Sequence, residues 1–163
     1  MIHGAAGGVG SFAVQLAHWR GAHVIGTASS VNLTFLRSIG ADESIDYTAT
    51  RFEDVVDPVD LVLDTVGGDT LERSWRVVKR GGIIVTIVGE ISAERAAKSG
   101  VRGVSFIVRP SRTQLIKIQE LIDSRTIRPV VFKKFPLAQA RQAFELGVRE
   151  HFPGKLVLSV QSI

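Results

Sequence analysis

The sequence predicts an α/β fold, a doubly wound parallel sheet with helices on both faces. Three observations lead there. A glycine-rich turn, His3-Gly4-Ala5-Ala6-Gly7-Gly8-Val9-Gly10, runs straight into a helical apolar rhythm. Strand-like and helix-like segments then alternate along most of the 163 residues, the order that parallel strands with crossover helices require. The strands are nearly continuous in apolar residues, as in Ile83-Ile84-Val85-Thr86-Ile87-Val88, which is the pattern of strands covered on both faces.

Each element has its own signal. Val9 to Arg20 reads as a helix because Phe12, Leu16 and Trp19 recur at helical spacing, and Gly21 ends it. His23 to Thr27 is a short apolar strand, Leu33 to Ser38 a helix stopped before Gly40, and Ser44 to Tyr47 a weakly marked strand. Asp60 to Val66 is a stronger strand, broken by Gly67-Gly68; Asp69 or Thr70 then caps a helix that runs through Leu71 and Trp75 to Val78. Gly81-Gly82 turns the chain into the strand Ile83 to Val88, and Val104 to Val108 reads as the last core strand. Ser111 opens a helix with Leu115, Ile118, Leu121 and Ile122 on one face. The tail adds a strand (Pro129 to Phe135), a helix (Leu137 to Val148) and a final strand (Lys155 to Val160) after the doubly wound unit is complete. The chain therefore divides into residues 1–126 and a tail, 127–163.

Composition narrows the chemistry. Hydrophobic residues make up 45% and charged residues 22%, the balance of an ordinary globular chain. The lack of cysteine excludes disulfides, thiolate metal sites and cysteine nucleophiles. The four histidines, His3, His18, His23 and His151, show no metal-ligand spacing. The N-terminal residues lack the charged-then-apolar build of a secretory leader, and no apolar run could cross a bilayer, so a cytoplasmic protein off the membrane is expected. The net charge of +4 suggests an anionic partner. The basic residues are scattered and no aromatic-rich RNA-binding signature accompanies them, which favours an anionic small molecule over nucleic acid.

The glycine turn suits such an anion. Missing side chains let the backbone come close to a phosphate, and the amides at a helix N-terminus supply donors and the positive end of a dipole. The GxGxxG positions are occupied by Ala5, Gly7 and Gly10, with Gly4 just before, so the first glycine is displaced. About 20 residues further on, where a site for the unphosphorylated dinucleotide carries an acid, the sequence is Gly26-Thr27-Ala28-Ser29-Ser30. Small hydroxyl residues leave room for a 2′-phosphate and can donate to it, and Asn32 and Tyr47 add donors. The reading is NADPH in preference to NADH, although no arginine or lysine lies in that loop.

Four stretches taken together, "HGAAGGVGSFAVQLA", "GADESIDY", "DLVLDTVGGDTLERSW" and "GKLVL", resemble the medium-chain dehydrogenase/reductase superfamily, in particular its zinc-independent, quinone-oxidoreductase-like NADPH branch. The resemblance runs over essentially the whole chain and implies a Rossmann-type domain. It places Gly7, Gly8, Val9 and Gly10 along the cofactor's pyrophosphate, and Ser29, Ser30, Asn32 and Tyr47 around the adenosine ribose and its 2′-phosphate. Val66-Gly67 and Ile87-Val88-Gly89 match strand ends near the nicotinamide half, and Phe106, Ile107 and Val108 match a segment beside the nicotinamide pocket. Val66, Ile87 and Ile107 are equally readable as core residues.

No catalytic residue and no metal ligand is assigned, because Tyr47, His3 and Lys155 form no relay by sequence. Full-length members carry an N-terminal GroES-like domain, whereas only Met1, Ile2 and His3 precede Gly4 here. The first strand thus reads as shortened, and residues 127–163 as a segment that in the family returns to that domain. Two functions stay open: hydride transfer from NADPH to a quinone or an activated carbon–carbon double bond, or a non-catalytic or inactive NADPH-binding fragment. The resemblance also implies a homo-oligomer joined through Val104 to Val108. Light scattering on the purified chain is expected to return a multiple of 17.7 kDa; a clean monomer would count against that interface.

Overall fold

Residues 1–160 are described by the computed structural model of the chain. The glycine turn leads into α1 (Gly10–Trp19), followed by β1 (Ile25–Ala28), α2 (Leu33–Ser38) and β2 (Glu43–Asp46). Next come β3 (Val59–Asp64), α3 (Gly68–Ser74), β4 (Val78–Thr86), α4 (Ala93–Ser99), β5 (Arg102–Ser105) and α5 (Arg112–Asp123). The tail forms β6 (Val131–Pro136), α6 (Ala140–Arg149) and β7 (Lys155–Ser159).

β1 pairs with β2, and β3 with β4 and then β5, all in parallel. Ile2 joins the two groups by pairing in parallel with Gly26 of β1 on one side and Leu63 of β3 on the other. Counted from Ile2, the strand order is that of the Rossmann fold, with its switch point where the chain begins its first crossover. The Met1–Ala5 segment is bonded along both edges. Ile2 N donates to Ile25 O (2.8 Å), Thr27 N to Ile2 O (3.0 Å) and Ala5 N to Thr27 O (3.0 Å); opposite, His3 N donates to Leu63 O and Leu63 N to Met1 O, both at 2.9 Å.

His3 locks the same segment through its side chain. Its ring is fully buried, with Nδ1 3.2 Å from Thr27 Oγ1 and Nε2 3.0 Å from Ser74 Oγ. Ser74 gives its own proton to Thr70 O (2.7 Å), so its oxygen accepts from His3 Nε2–H, and Nδ1 accepts from Thr27. The ring also meets Phe52, with centroids 4.5 Å apart. Burial drives the His3 pKa from its usual 6.5 down to about 4, against the opposing pull of Asp64.

Two apolar clusters fill the domain, one around Phe52, Val62, Val77 and Ile84, the other around Ala5, Val14, Val24 and Leu36. Trp75 packs partly buried against the first. Several boundaries differ from the sequence reading, each for a local reason. Gly81 and Gly82 lie inside β4: the register passes from Val59–Val78 to Leu61–Ile83, so the extra residues form a bulge, and Gly81 takes the positive φ (+80°) that it needs. α3 starts at Gly68, before Asp69 or Thr70, because Gly67 occupies the N-cap. α4 was not anticipated, though its ends carry ordinary signals: Ser92 Oγ accepts from Arg95 N, and Gly100 closes it in a left-handed conformation. β5 ends at Ser105, leaving Phe106, Ile107 and Val108 beyond the strand. The apolar stripe of α5 is present, yet the helix buries none of its residues.

The tail is a small unit of its own, β6 parallel to β7 with α6 packed on them. It is bolted to the main domain at the glycine turn, where Gly7 pairs with Gly154 and Gly154 N donates to Ala6 O (2.8 Å). Gln15 of α1 adds a second attachment, accepting from Arg128 N (2.8 Å) and donating to Arg128 O (3.1 Å).

Two outcomes follow from this packing. A Cβ on Gly10 would sit 2.2 Å from Gly4 O and 2.6 Å from the Ala5 Cα, so Gly10→Ala is expected to cost about 3 kcal/mol in urea unfolding, since backbone cannot step aside. A Cβ on Gly8 would strike the flexible end of Lys155, and Gly8→Ala is expected to be tolerated. For His3, the unfolded chain takes up a proton near pH 6.5 and the folded one only near 4. Stability is therefore intact above pH 6.5 and falls by about 1.4 kcal/mol per unit as the pH drops toward 4. Urea midpoints between pH 7 and 5 should show this slope, and His3→Gln should flatten it.

Candidate functional site

In a doubly wound sheet the ligand crevice opens at the carboxyl ends of the strands, beside the switch point. Here that crevice is built from the glycine turn, the ends of β1, β3 and β4, and the tail. Gly7 and Gly8 are half-buried, Val9 is exposed at the N-cap of α1, and Gly10 is buried as its first residue. No side chain caps α1 and no acid stands in its first turn; Ser11 N donates to the Gly7 carbonyl at 2.9 Å, so side chains of the first turn do not compete for the amides while the backbone takes one of them.

A cavity of about 290 Å³ lies beside the turn, lined by Gly4, Gly7, Ser29, Asn32, Tyr47 and Val66 among others. Ser29, Asn32 and Tyr47 come together as the sequence predicted; Ser30, exposed, does not line this cavity. Asn32 is buried and donates to Ser29 Oγ at 3.2 Å. Asp46, next to Tyr47 in sequence, is turned onto Thr48, accepting from its N (2.9 Å) and Oγ1 (2.6 Å).

The tail supplies the rest of the wall, a contribution the site residues read from the sequence did not include. Glu150, His151 and Phe152 line the cavity opposite Ser29, and Phe152 is held there by stacking on Phe132, ring centroids 4.9 Å apart. Lys155 lies across the glycine turn so closely that a Cβ on Gly8 would meet its Cε at 1.9 Å and its Nζ at 2.6 Å. The only sequence signal for this was the Gly154-Lys155 pair at the head of the last strand; what it sits upon is decided by the fold.

The other predicted residues gather at the strand ends. Gly67 is buried, and a Cβ there would approach Val88 Cγ2 to 3.0 Å, so the Val66-Gly67 and Ile87-Val88-Gly89 turns touch. Val66 and Val88 are about half exposed, whereas Ile87 is partly covered. Phe106, Ile107 and Val108 are exposed, Ile107 to 85%, so the core alternative fails for Val66 and Ile107. Among the described residues no three His, Cys, Asp or Glu side chains assemble as a metal site, and no helix is long and apolar enough to cross a membrane.

A parallel sheet with a glycine cradle at its switch point defines a dinucleotide-binding domain of the Rossmann type. The sequence profile described as zinc-binding dehydrogenase matches residues 39–158, and the chain belongs to that family as a quinone-oxidoreductase-like member of the medium-chain dehydrogenase/reductase superfamily. It is 36% identical over 162 residues to the chloroplastic NADPH-dependent alkenal/one oxidoreductase of Arabidopsis thaliana. It is 38% identical over 162 residues to the 2-methylene-furan-3-one reductase of Solanum lycopersicum. In each case the match covers 97% of this chain and 39% of the relative. The solved quinone oxidoreductase of Coxiella burnetii superposes with a TM-score of 0.88 at 35% identity, covering 98% of this chain and 52% of that one. The chain thus spans about half, or less, of the length of the proteins it resembles.

Proposed function

We propose that this chain binds NADPH as the cofactor portion of a reductase that delivers hydride to a quinone or to a double bond conjugated with a carbonyl. The observation that carries the reading is the cradle itself. The uncapped N-terminus of α1, the side-chain-free surface of Gly7 and Gly8, and the Lys155 ammonium converge on one spot. Lys155 brings a cation to the glycine turn, and the pyrophosphate is the group it would meet. Beside it, Ser29 and Tyr47 present hydroxyl groups where a ribose 2′-phosphate would lie, and Asn32 behind them donates to Ser29 Oγ (3.2 Å) and His151 O (3.5 Å). Glu150 in the same wall opposes that anion, and the His151 imidazole next to it is a further polar group of the wall.

The residue fit supports the whole dinucleotide, with Val66, Gly67, Ile87, Val88 and Gly89 toward the nicotinamide end and Phe106, Ile107 and Val108 beyond them. When bound, the nicotinamide supplies the hydride. The chain's own share is to hold the phosphates, to orient the ring against the strand-end turns and to exclude water there. The relatives' printed names support a quinone or alkenal/enone class of acceptor. In the reductase reading residues 127–163 contribute to the cofactor cradle through Lys155 and residues 150–152, and the family resemblance gives the same segment to the domain that takes substrate. The exposed Phe106-Ile107-Val108 row supports a homo-oligomer.

Calorimetric titration separates these possibilities. NADPH is expected to bind more tightly than NADH; equal affinities would remove the 2′-phosphate assignment, and no binding of either would end the proposal. Lys155→Gln is expected to weaken both cofactors by about five- to tenfold and leave their ratio unchanged, the effect of one partly exposed charge-assisted contact to the shared pyrophosphate. NADPH consumption with a quinone acceptor by this chain alone distinguishes turnover from binding.

A further inference from the structure

Asp64 ends β3, is fully buried, and is not part of the cradle. Its two carboxyl oxygens are both in use. Oδ1 accepts from Val66 N (3.1 Å) and Gly67 N (3.0 Å), while Oδ2 accepts from Gly67 N (3.1 Å) and Thr86 Oγ1 (2.9 Å). Thr86, also fully buried, ends the neighbouring strand β4. A hydroxyl has one proton to give, and Thr86 gives it to Asp64. Its oxygen is then free to accept, and Val88 N lies 3.3 Å away. One carboxyl group therefore ties the turn after β3 to the turn after β4.

The backbone continues the same connection, since Ile87 N donates to Asp64 O (3.2 Å) and Phe106 N to Thr86 O (2.9 Å). All three strand-end segments that face the nicotinamide end hang from this one pair. The clearance between the first two is small: Gly67 leaves just enough room for Val88 Cγ2, so a slip of either turn is felt by the other. A side chain needed only to end a strand would not be a buried carboxyl, because burying one is costly unless every lone pair is used. Asparagine offers one accepting oxygen where this arrangement uses two.

We infer that Asp64 is a positioning residue, which through Thr86 holds Val66-Gly67 and Val88-Gly89 in the one mutual arrangement that receives the nicotinamide end of the cofactor. It touches no cofactor atom itself, and the inference rests on the NADPH reading above.

The test compares two probes on the whole chain by calorimetry: NADPH, and adenosine 2′,5′-bisphosphate, which carries the adenosine end without the nicotinamide. Asp64→Asn and Thr86→Val are expected to weaken NADPH about tenfold and to leave the bisphosphate within twofold of the parent. Thr86→Ser, which keeps the hydroxyl, is expected to retain NADPH affinity. Equal weakening of both probes, or no weakening of either, would overturn the positioning role. If Asp64→Asn does not fold, as judged by circular dichroism, Thr86→Val and Thr86→Ser decide the matter by the same criteria. A parent chain that binds neither probe overturns the NADPH reading, and this inference with it; a parent that binds both while the variants behave like it overturns this inference alone.

Discussion

The structure depends on a very short piece of chain paired on both edges. Met1 to Ala5 supplies the innermost rung of the parallel sheet, and without it β1-β2 and β3-β4-β5 are two separate sheets. Five backbone hydrogen bonds and the buried His3 ring hold those few residues in place. Because a strand this short contributes few ladder bonds, the side-chain lock carries unusual weight. His3 reaches β1 through Thr27 and α3 through Ser74, so it fastens the segment to both halves of the domain.

The position of that segment also explains where the glycine turn lies. The chain leaves the sheet at its centre and must turn at once into α1, and the turn can be that tight only because Gly10 packs directly on the backbone of Gly4 and Ala5. The amides of α1 are thereby brought to the carboxyl edge of the sheet, at the switch point. The same edge gathers the turns after β3 and β4. Two different devices thus organise one crevice: close backbone packing at the glycine turn, and the Asp64–Thr86 pair at the ends of β3 and β4.

The tail is the less expected partner. By its strand pairing it is a separate unit, yet its Gly154-Lys155 corner closes over the glycine turn and its residues 150–152 wall the cavity beside Ser29. The Lys155 cation reaches the glycine turn from more than a hundred positions away in sequence. That wall is of mixed character, with the carboxylate of Glu150 and the imidazole of His151 next to each other in sequence.

Much was legible in the amino-acid sequence because it rests on local rules. Apolar strand runs, helical spacing and glycine stops located twelve of the thirteen α-helices and β-strands among the described residues, and the glycine turn marked the start of α1. Local rules also set the misreadings: Gly81-Gly82 looks the same whether it makes a turn or a bulge, and only the pairing of β4 with β3 decides between them. Phe106, Ile107 and Val108 have the composition of a strand, but a strand needs a partner along its length, and the pairing with β4 stops at Ser105. What tertiary structure alone decided is which distant groups meet: Lys155 on Gly8, His151 near Ser29, Asp64 on Thr86. Hydrophobic periodicity records which face of an element is covered and carries no information about which polar side chain from another element arrives there. That is set by strand order and register, and both are properties of the assembled sheet.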